Sequence, residues 1–273
     1  MAIIDWDDAY ANMAHIDGSE DYPDTWLNRA LKYRQQLSAN QIQEDIHYGP
    51  APREIMDLIL PDESTKGLAV FVHGGYWMRM DKSYWTDLAE GARARGWAVC
   101  LPSYTLTPEA SIPHITRQVA KAITNAASRI EGPIRLAGHS AGGHLVSRMV
   151  CSDSPLDSAV TNRIEHTLSI SGLHDLRPLM MTKMNETLQL SETEAHTESA
   201  ALIRPASSTA LTAWVGGGER PEFIRQSKLI AMMWSGLGAT TECVVDGHHN
   251  HFTVIEDLTL VDSPITNAFI GDR

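Results

Sequence analysis

The chain is short of cysteine, of positive charge and of long apolar runs, and each shortage excludes a class of protein. The 273 residues include three cysteines, Cys100, Cys151 and Cys243, which lie far apart and form no C-x-x-C pair. An odd number of widely spaced cysteines argues against a disulfide scaffold. We therefore expect three reduced thiols and a cytoplasmic location.

Positive charge is scarce: 22 lysines and arginines stand against 34 aspartates and glutamates, a formal net charge of −12. An acidic chain without a basic run is unsuited to nucleic acid or to an anionic membrane surface. No apolar run reaches the roughly 20 residues of a membrane-spanning helix, and the first residues lack the basic and apolar regions of a signal peptide. We expect a small-molecule substrate, with no nucleic-acid or membrane partner, and leave a homodimer open.

What the chain does have is enough apolar material, 43% of residues, for one large core. Apolar strand-like runs alternate with helical patterns, which predicts a mostly parallel sheet covered by helices on both faces. We expect a single α/β domain over residues 1–273. Within it, residues 1–45 read as an accessory helical segment that packs on the core and forms a partial lid, and residues 178–204 as a Met-rich cap insertion. Further helices are expected at 83–95 and 252–260.

The most informative stretch is residues 134–146, which read I-R-L-A-G-H-S-A-G-G-H-L-V. The pattern predicts a buried strand, a tight turn with Ser140 at its apex, and a helix. Gly138 and Gly142 complete the G-x-S-x-G of a nucleophile elbow, in which strain exposes a serine hydroxyl and glycines avoid collisions. The bland alternative is an ordinary strand-to-helix connection, which the apolar strand and the helical spacing after it make less favourable.

A second stretch follows the apolar strand at 68–72 and reads H-G-G-Y-W. The backbone N–H groups of Gly74 and Gly75 can approach a substrate closely because no side chain intervenes, as an oxyanion hole requires. Alone, this would be a plain Gly-Gly turn; the elbow about 65 residues later favours the chemical interpretation. We expect Tyr76 and Trp77 to wall the substrate site.

A serine nucleophile needs a base and an orienting acid, which follow an elbow serine in the order acid, then histidine. Glu219 comes after the strand expected at 211–215, and His251 after the strand expected at 240–245. Glu222 and Asp246 are the rival acids, expected instead to favour a helix N-terminus and to shape a turn.

The histidines allow other interpretations. His248 and His249 next to His251 could suggest a metal site, but no carboxylate-and-histidine spacing accompanies them. We therefore expect no metal and no cofactor. His139, beside the nucleophile, is expected to contact substrate or to make a structural hydrogen bond rather than to act as the base.

With these motifs in view, the chain resembles the α/β-hydrolase fold, in its hormone-sensitive-lipase-like branch, and most narrowly the kynurenine formamidase (arylformamidase) type. The segments that carry the resemblance are 73–77, 104–109, 138–144, 171–176, 221–223 and 251–252.

The resemblance implies Ser140 as nucleophile and His251 as base. It places the N–H groups of Gly74, Gly75 and Ala141 in the oxyanion hole. Glu219 stands where the family usually has aspartate, and His174 where tyrosine is common.

These residues predict a serine hydrolase, of carboxylesterase or arylformamidase type, that cleaves a small ester or aryl formamide through an acyl-enzyme. Two alternatives stay open. One is a catalytically silent binding protein on the same fold, and the other is a thioesterase. The presence of all three triad candidates favours the enzyme.

Overall fold

The computed structural model describes residues 5–272, and its centre is one eight-stranded sheet. The strands are β1 Ile42–His47, β2 Ile55–Ile59, β3 Leu68–Val72, β4 Ala98–Pro102, β5 Ile134–His139, β6 Ile164–Ile170, β7 Ala210–Gly216 and β8 Thr240–Asp246. Their order across the sheet is β1-β2-β4-β3-β5-β6-β7-β8. Strand β2 is antiparallel to both neighbours, and the other adjacent pairs are parallel.

Helices cover both faces of this sheet. The α-helices of the described residues are α1 Trp6–Ala9, α2 Tyr22–Arg34, α3 Glu90–Ala94, α4 Ile112–Arg129, α5 Ala141–Arg148, α6 Ser158–Thr161, α7 Asn185–Leu188, α8 Glu192–Thr197, α9 Pro221–Ser235 and α10 Pro264–Ile270. The prediction of a mostly parallel sheet with helices on both faces is confirmed.

The central strands are apolar throughout because both of their faces are covered. All five residues of β3 are buried, and so are all five of β4. Alternate residues of β3 enter opposite cores: Val70 joins the one beneath α4, α5 and α9, whereas Ala69 and Phe71 join the one that contains Trp26 and Phe269. The sheet thus separates two apolar cores.

Helix α4 shows how the outer layer is built. Its buried side chains include Ile112, Ile115, Val119, Ile123 and Ala126, spaced so that they share one face of a helix. It begins with a proline in its first turn and ends where Ile130 turns extended, just before a glycine with positive φ. Burying one such stripe against the sheet stabilises the helix more than its intrinsic propensity does.

Two predicted helices are wrong in detail. Residues 83–95 form short 3₁₀ segments and then α3, because Trp85 leaves the helical conformation and its ring is buried 4.9 Å, centroid to centroid, from that of Trp26. The residues expected as a helix at 252–260 form turns and a 3₁₀ segment, Glu256–Thr259. In the first case, burial of an aromatic ring outweighs local propensity.

The two segments expected as additions contain one longer helix, α2, and otherwise short elements. Residues 1–4 lie outside the described residues; from residue 5 the N-terminal segment contains α1, two 3₁₀ turns and α2. The stretch 178–204 holds α7, α8 and 3₁₀ turns. Whether these stretches are separate functional units stays a prediction. No helix within residues 5–272 is long and apolar enough to cross a membrane.

A buried ion pair ties β2 to the chain that follows β3. Lys82 is 7% exposed and Asp57, on β2, is 0% exposed; Lys82 Nζ lies 2.7 Å from Asp57 Oδ1 and 2.9 Å from Oδ1 of the exposed Asp45. Burial by itself would lower the pKa of Lys82, but the two carboxylates, Asp57 first, raise it on balance. The buried ammonium of Lys82 would be strongly destabilising without the carboxylate of Asp57 beside it.

We expect Asp57→Asn to lower the free energy of unfolding by about 3 kcal/mol, because it leaves the buried ammonium of Lys82 without its buried counter-charge. The matched control, Asp45→Asn, removes the exposed partner of the same lysine and should cost less than about 1 kcal/mol. Urea unfolding followed by tryptophan fluorescence measures both. Equal losses in the two variants would contradict the assignment.

Candidate active site

Four neighbouring strands end at the same edge of the sheet, and each is followed by one polar residue of the site. Ser140 directly follows β5 and Ser171 directly follows β6, while Glu219 and His251 stand a few residues beyond β7 and β8. Backbone hydrogen bonds continue the ladder into this edge, from Ser140 N–H to the carbonyl of Ile170 (2.8 Å) and from Ser171 N–H to that of Trp214 (2.7 Å). The parallel sheet therefore gathers residues that are distant in sequence.

The turn at Ser140 has the strain of a nucleophile elbow. Ser140 has φ +55° and ψ −117°, a combination that non-glycine residues avoid. A Cβ on Gly138 would lie 2.2 Å from the carbonyl oxygen of Gly142, and one on Gly142 would lie 1.9 Å from that of Val72. Ser140 Oγ is buried and makes no hydrogen bond to any described residue, so the hydroxyl is left available.

Backbone N–H groups surround this serine. Helix α5 begins at Ala141, so its N-terminal dipole and free amides lie directly behind Ser140. A Cβ on Gly74 would lie 3.0 Å from Ser140 Cβ and 2.9 Å from the carbonyl oxygen of His139. Gly75 has φ +102°, which a side chain would strain. Only glycines allow the two loops to come this close.

His251 and Glu219 form a buried pair. His251 Nδ1 lies 2.6 Å from Glu219 Oε2, and the two residues are 3% and 8% exposed. The other carboxylate oxygen, Oε1, accepts hydrogen bonds from the Ser171 hydroxyl (2.5 Å) and from the Gly216 N–H (2.8 Å). The carboxylate is thus fully engaged, and it holds the imidazole with Nδ1 as the donor.

The rival carboxylates make other contacts. Glu222 accepts from the Tyr10 hydroxyl at 2.8 Å and pairs with Arg225 at 2.7 Å. Asp246 Oδ1 accepts from the His248 N–H at 3.3 Å, and Asp175 pairs with Arg177 at 2.8 Å. Each of these carboxylates shapes its own loop or helix start.

His139 packs against the back of His251. Its Nε2 donates to the backbone carbonyl of His251 at 2.9 Å, and the ring centroids are 4.7 Å apart. Burial, and then the neighbouring His251, lower the pKa of His139 well below its ordinary value, so it is a neutral donor. His139 thereby fixes the main chain that carries His251.

The aromatic residues after the oxyanion glycines have different surroundings. The Trp77 ring is fully buried and meets His144 edge-on at 5.2 Å, which gives it a packing role. The Tyr76 hydroxyl donates to the carbonyl of Tyr10 at 2.6 Å and lies 3.3 Å from Asn12 Nδ2. The N-terminal segment therefore contacts Tyr76 through the backbone of Tyr10 and the side chain of Asn12.

Sequence reasoning missed three contributors to the site. The Phe223 ring lies 4.5 Å from that of His251, and the Phe252 ring lies 6.0 Å from it. The hydroxyl of Ser171 donates a hydrogen bond to the Glu219 carboxylate. Phe223 and Phe252 stand in the short motifs at 221–223 and 251–252, and Ser171 begins another; no spacing rule indicates their contacts.

Of the histidines after β8, His249 lies near two aspartates. His249 Nε2 is 3.9 Å from Asp246 Oδ2 and 3.8 Å from Asp257 Oδ2. Over residues 5–272 no group of three or more His, Cys, Asp or Glu side chains is placed to hold a metal ion.

Known proteins resemble this chain in sequence and in structure. A family model for the α/β-hydrolase fold matches residues 69–248. Kynurenine formamidase from Danio rerio is 31% identical over 233 residues, which span 81% of this chain and 78% of that protein.

A solved structure from Silicibacter sp. TM1040, provisionally assigned as a thioesterase, is 44% identical with a TM-score of 0.91 and covers 98% of this chain and 99% of its own. An esterase from Pyrobaculum calidifontis shares the fold alone, at 16% identity and a TM-score of 0.68 over 91% of this chain and 90% of its own.

We expect Gly142→Ala to destabilise the protein by about 3 kcal/mol, because the new methyl group would overlap the carbonyl of Val72 and force the backbone apart. Gly236→Ala is the matched control: it too is a glycine in helical conformation, but its Cβ would meet nothing closer than 3.6 Å. Thermal unfolding of both variants is the measurement. A Gly142→Ala protein as stable as Gly236→Ala would show that the elbow is not packed as described.

Proposed function

The chain belongs to the α/β-hydrolase family and is a hydrolase, and from that premise we propose that it is a serine hydrolase that removes a small acyl group from an aromatic leaving group. The observation that carries the proposal is the hydrogen bond of 2.6 Å between His251 Nδ1 and Glu219 Oε2, at the same sheet edge as the strained Ser140. A buried imidazole oriented by a carboxylate is what a serine hydroxyl needs for activation.

In this mechanism Ser140 Oγ attacks the substrate carbonyl while His251 takes the hydroxyl proton. Glu219 keeps Nδ1 protonated, so Nε2 is the basic nitrogen, and it stabilises the imidazolium that forms. The N–H groups of Gly74, Gly75 and Ala141 bind the developing oxyanion. His251 then returns the proton to the leaving group, and water hydrolyses the acyl-enzyme by the same route.

The aromatic leaving group is inferred from the residues beside the base. Phe223 and Phe252 pack near His251, and Tyr76 follows the oxyanion glycines, so a flat ring could stack there. Between residue 5 and β1 the N-terminal segment contains two α-helices and two 3₁₀ turns, and we propose that this segment is too short to form the large lid that a long acyl chain would need. An anilide nitrogen leaves only when protonated, and His251 supplies that proton. Similarity to a kynurenine formamidase supports an aryl formamide.

Thioester cleavage is the second candidate. The observation that favours it is the 44% identity to the Silicibacter structure provisionally assigned as a thioesterase. The same triad would serve, because a thiolate leaves more easily than an anilide. A silent binding protein is the third possibility; labelling of Ser140 by a fluorophosphonate separates it from both enzymes.

We expect Glu219→Gln to lower kcat by about 10⁴-fold, because the imidazole loses its charged partner and its tautomer. Ser140→Ala removes the proposed nucleophile and should lower kcat by about 10⁶-fold, the largest loss expected in this series. Glu222→Gln and Asp246→Asn are the matched controls and should lower kcat far less, since their carboxylates contact other groups. Hydrolysis of p-nitrophenyl acetate by folded variants is the assay. If Glu222→Gln or Asp246→Asn proved the most damaging acid variant, or Ser140→Ala kept full activity, the triad would be wrong.

We expect kcat/KM on p-nitrophenyl esters to be highest for acetate and to fall along the series to decanoate, because Ser140, His251 and Phe223 are all buried and a longer acyl chain would have to displace the side chains packed around them. N-formylkynurenine, run in parallel, should be cleaved. Phenyl thioacetate beside phenyl acetate tests the thioester alternative. An optimum at octanoate or longer would refute the small-acyl proposal. An acetate optimum without cleavage of N-formylkynurenine would exclude the formamidase activity and keep the esterase activity.

A further inference from the structure

Ser171 lies outside the triad, yet its hydroxyl is bound to the triad acid. Its Oγ donates to Glu219 Oε1 at 2.5 Å, on the oxygen that His251 does not use. The residue is 0% exposed, so it touches no bulk solvent. Nothing in the elbow or in the triad order requires a serine here.

The backbone at Ser171 is strained in a way that directs this hydroxyl. Its φ is +50°, in the left-handed region that non-glycine residues rarely adopt. The surroundings impose it: the Ser171 N–H is bound to the carbonyl of Trp214 at 2.7 Å, and a Cβ on the next residue, Gly172, would lie 2.2 Å from Ser169 Oγ. Such strain at the edge of a site indicates a role there.

The Glu219 side chain is long, and its hydrogen bond to His251 alone does not fix the position of the carboxylate. Glutamate has one more rotatable bond than aspartate, so a single hydrogen bond to His251 leaves the carboxylate free to rotate about the others. Two donors on Oε1, the Ser171 hydroxyl and the Gly216 N–H, remove that freedom. Of these, Ser171 is the one that a side-chain substitution can delete.

We propose that Ser171 is a positioning residue of the proposed hydrolase: it fixes the Glu219 carboxylate against His251 and disperses its charge. This inference rests on the proposed function, because it assigns Ser171 a role through the triad acid. Ser171 contacts neither the nucleophile nor the substrate in this scheme, so its removal changes kcat and the pH dependence and leaves KM as it is.

The direction of the pH effect follows from the hydrogen bond. A donor to a carboxylate stabilises its charged form. Without that donor, either the carboxylate or the imidazole beside it takes up a proton more readily, and both events remove the active state. The acid limb of the kcat/KM profile therefore moves to higher pH by about 0.5 to 1 unit when the hydroxyl is lost.

The experiment compares Ser171→Ala and Ser171→Gly with Thr167→Val, using p-nitrophenyl acetate across pH and a melting temperature at each pH. Glycine tolerates φ +50° and alanine keeps the strain of serine, so the pair separates the hydroxyl from the backbone. Thr167 is the control because it is buried on β6, the strand that Ser171 directly follows. Its hydroxyl bonds to no described residue. Both Ser171 variants should lose kcat by roughly 10- to 100-fold with an unchanged KM and the upward shift of the acid limb. Thr167→Val should match wild type.

A second arm places Ser171→Ala in the Glu219→Gln background, where it should have no further effect, because interacting residues are not additive. Fluorophosphonate labelling rates replace turnover if turnover is too slow. Three outcomes would overturn the inference. The first is a Ser171→Ala protein with the kcat and the acid limb of wild type, and the second is a Ser171→Gly protein that retains activity. The third is an effect of Ser171→Ala that is as large in the Glu219→Gln background as in wild type. Inactive wild type, or active Ser140→Ala, would instead overturn the proposed function.

Discussion

The contact of Gly142 with the carbonyl of Val72 is the constraint on which the rest of the site depends. It brings the start of α5 against the end of β3, where a methyl group would lie 1.9 Å from the carbonyl oxygen. The same contact sets Ser140 beside Gly74, because Ser140 lies two residues before Gly142 and Gly74 lies two residues after Val72. A main-chain contact of this kind is rigid, so it can hold the proposed oxyanion donors, the N–H groups of Gly74 and Gly75, at a fixed separation from the proposed nucleophile, as preorganised catalysis requires.

Burial then distinguishes one histidine from the others. Five histidines of the described residues are buried, namely His73, His139, His144, His174 and His251. Burial lowers the pKa of His73 to about 4 and that of His144 and His174 to about 3. Among these five, His251 is the one with a carboxylate within hydrogen-bond distance of its ring. Location in the core thus makes four of them neutral packing groups, and a paired carboxylate makes the fifth suitable as a base.

The sequence allowed the fold to be predicted, and with it the placement of Ser140, Glu219 and His251 after neighbouring strands, because apolar runs, glycine motifs and strand order can be read from the chain. The apolar runs of β3 and β5 indicate buried strands, and the glycines around Ser140 indicate a tight turn. Each of these patterns spans only a few residues. The positions of Glu219 and His251 followed from strand order alone. The contacts of Ser171 with Glu219 and of Phe223 with His251 could not be predicted, because no motif or strand-order rule specifies which side chains meet these two residues. The helix expected at 83–95 failed for the same reason: burial of Trp85 against Trp26 is a tertiary contact.

The buried neutral histidines have a consequence for behaviour in mild acid. Each has a lower pKa in the folded state than the ordinary value of about 6.5 that it regains on unfolding, so below that pH the unfolded chain binds protons that the folded chain cannot. Each such group lowers the free energy of unfolding by up to roughly 1.4 kcal/mol per pH unit until its folded pKa is reached. All four act in the same direction, so the folded state loses stability as the pH falls below about 6.5. The buried histidines that pack around the elbow therefore couple the stability of the fold to pH in the mildly acidic range.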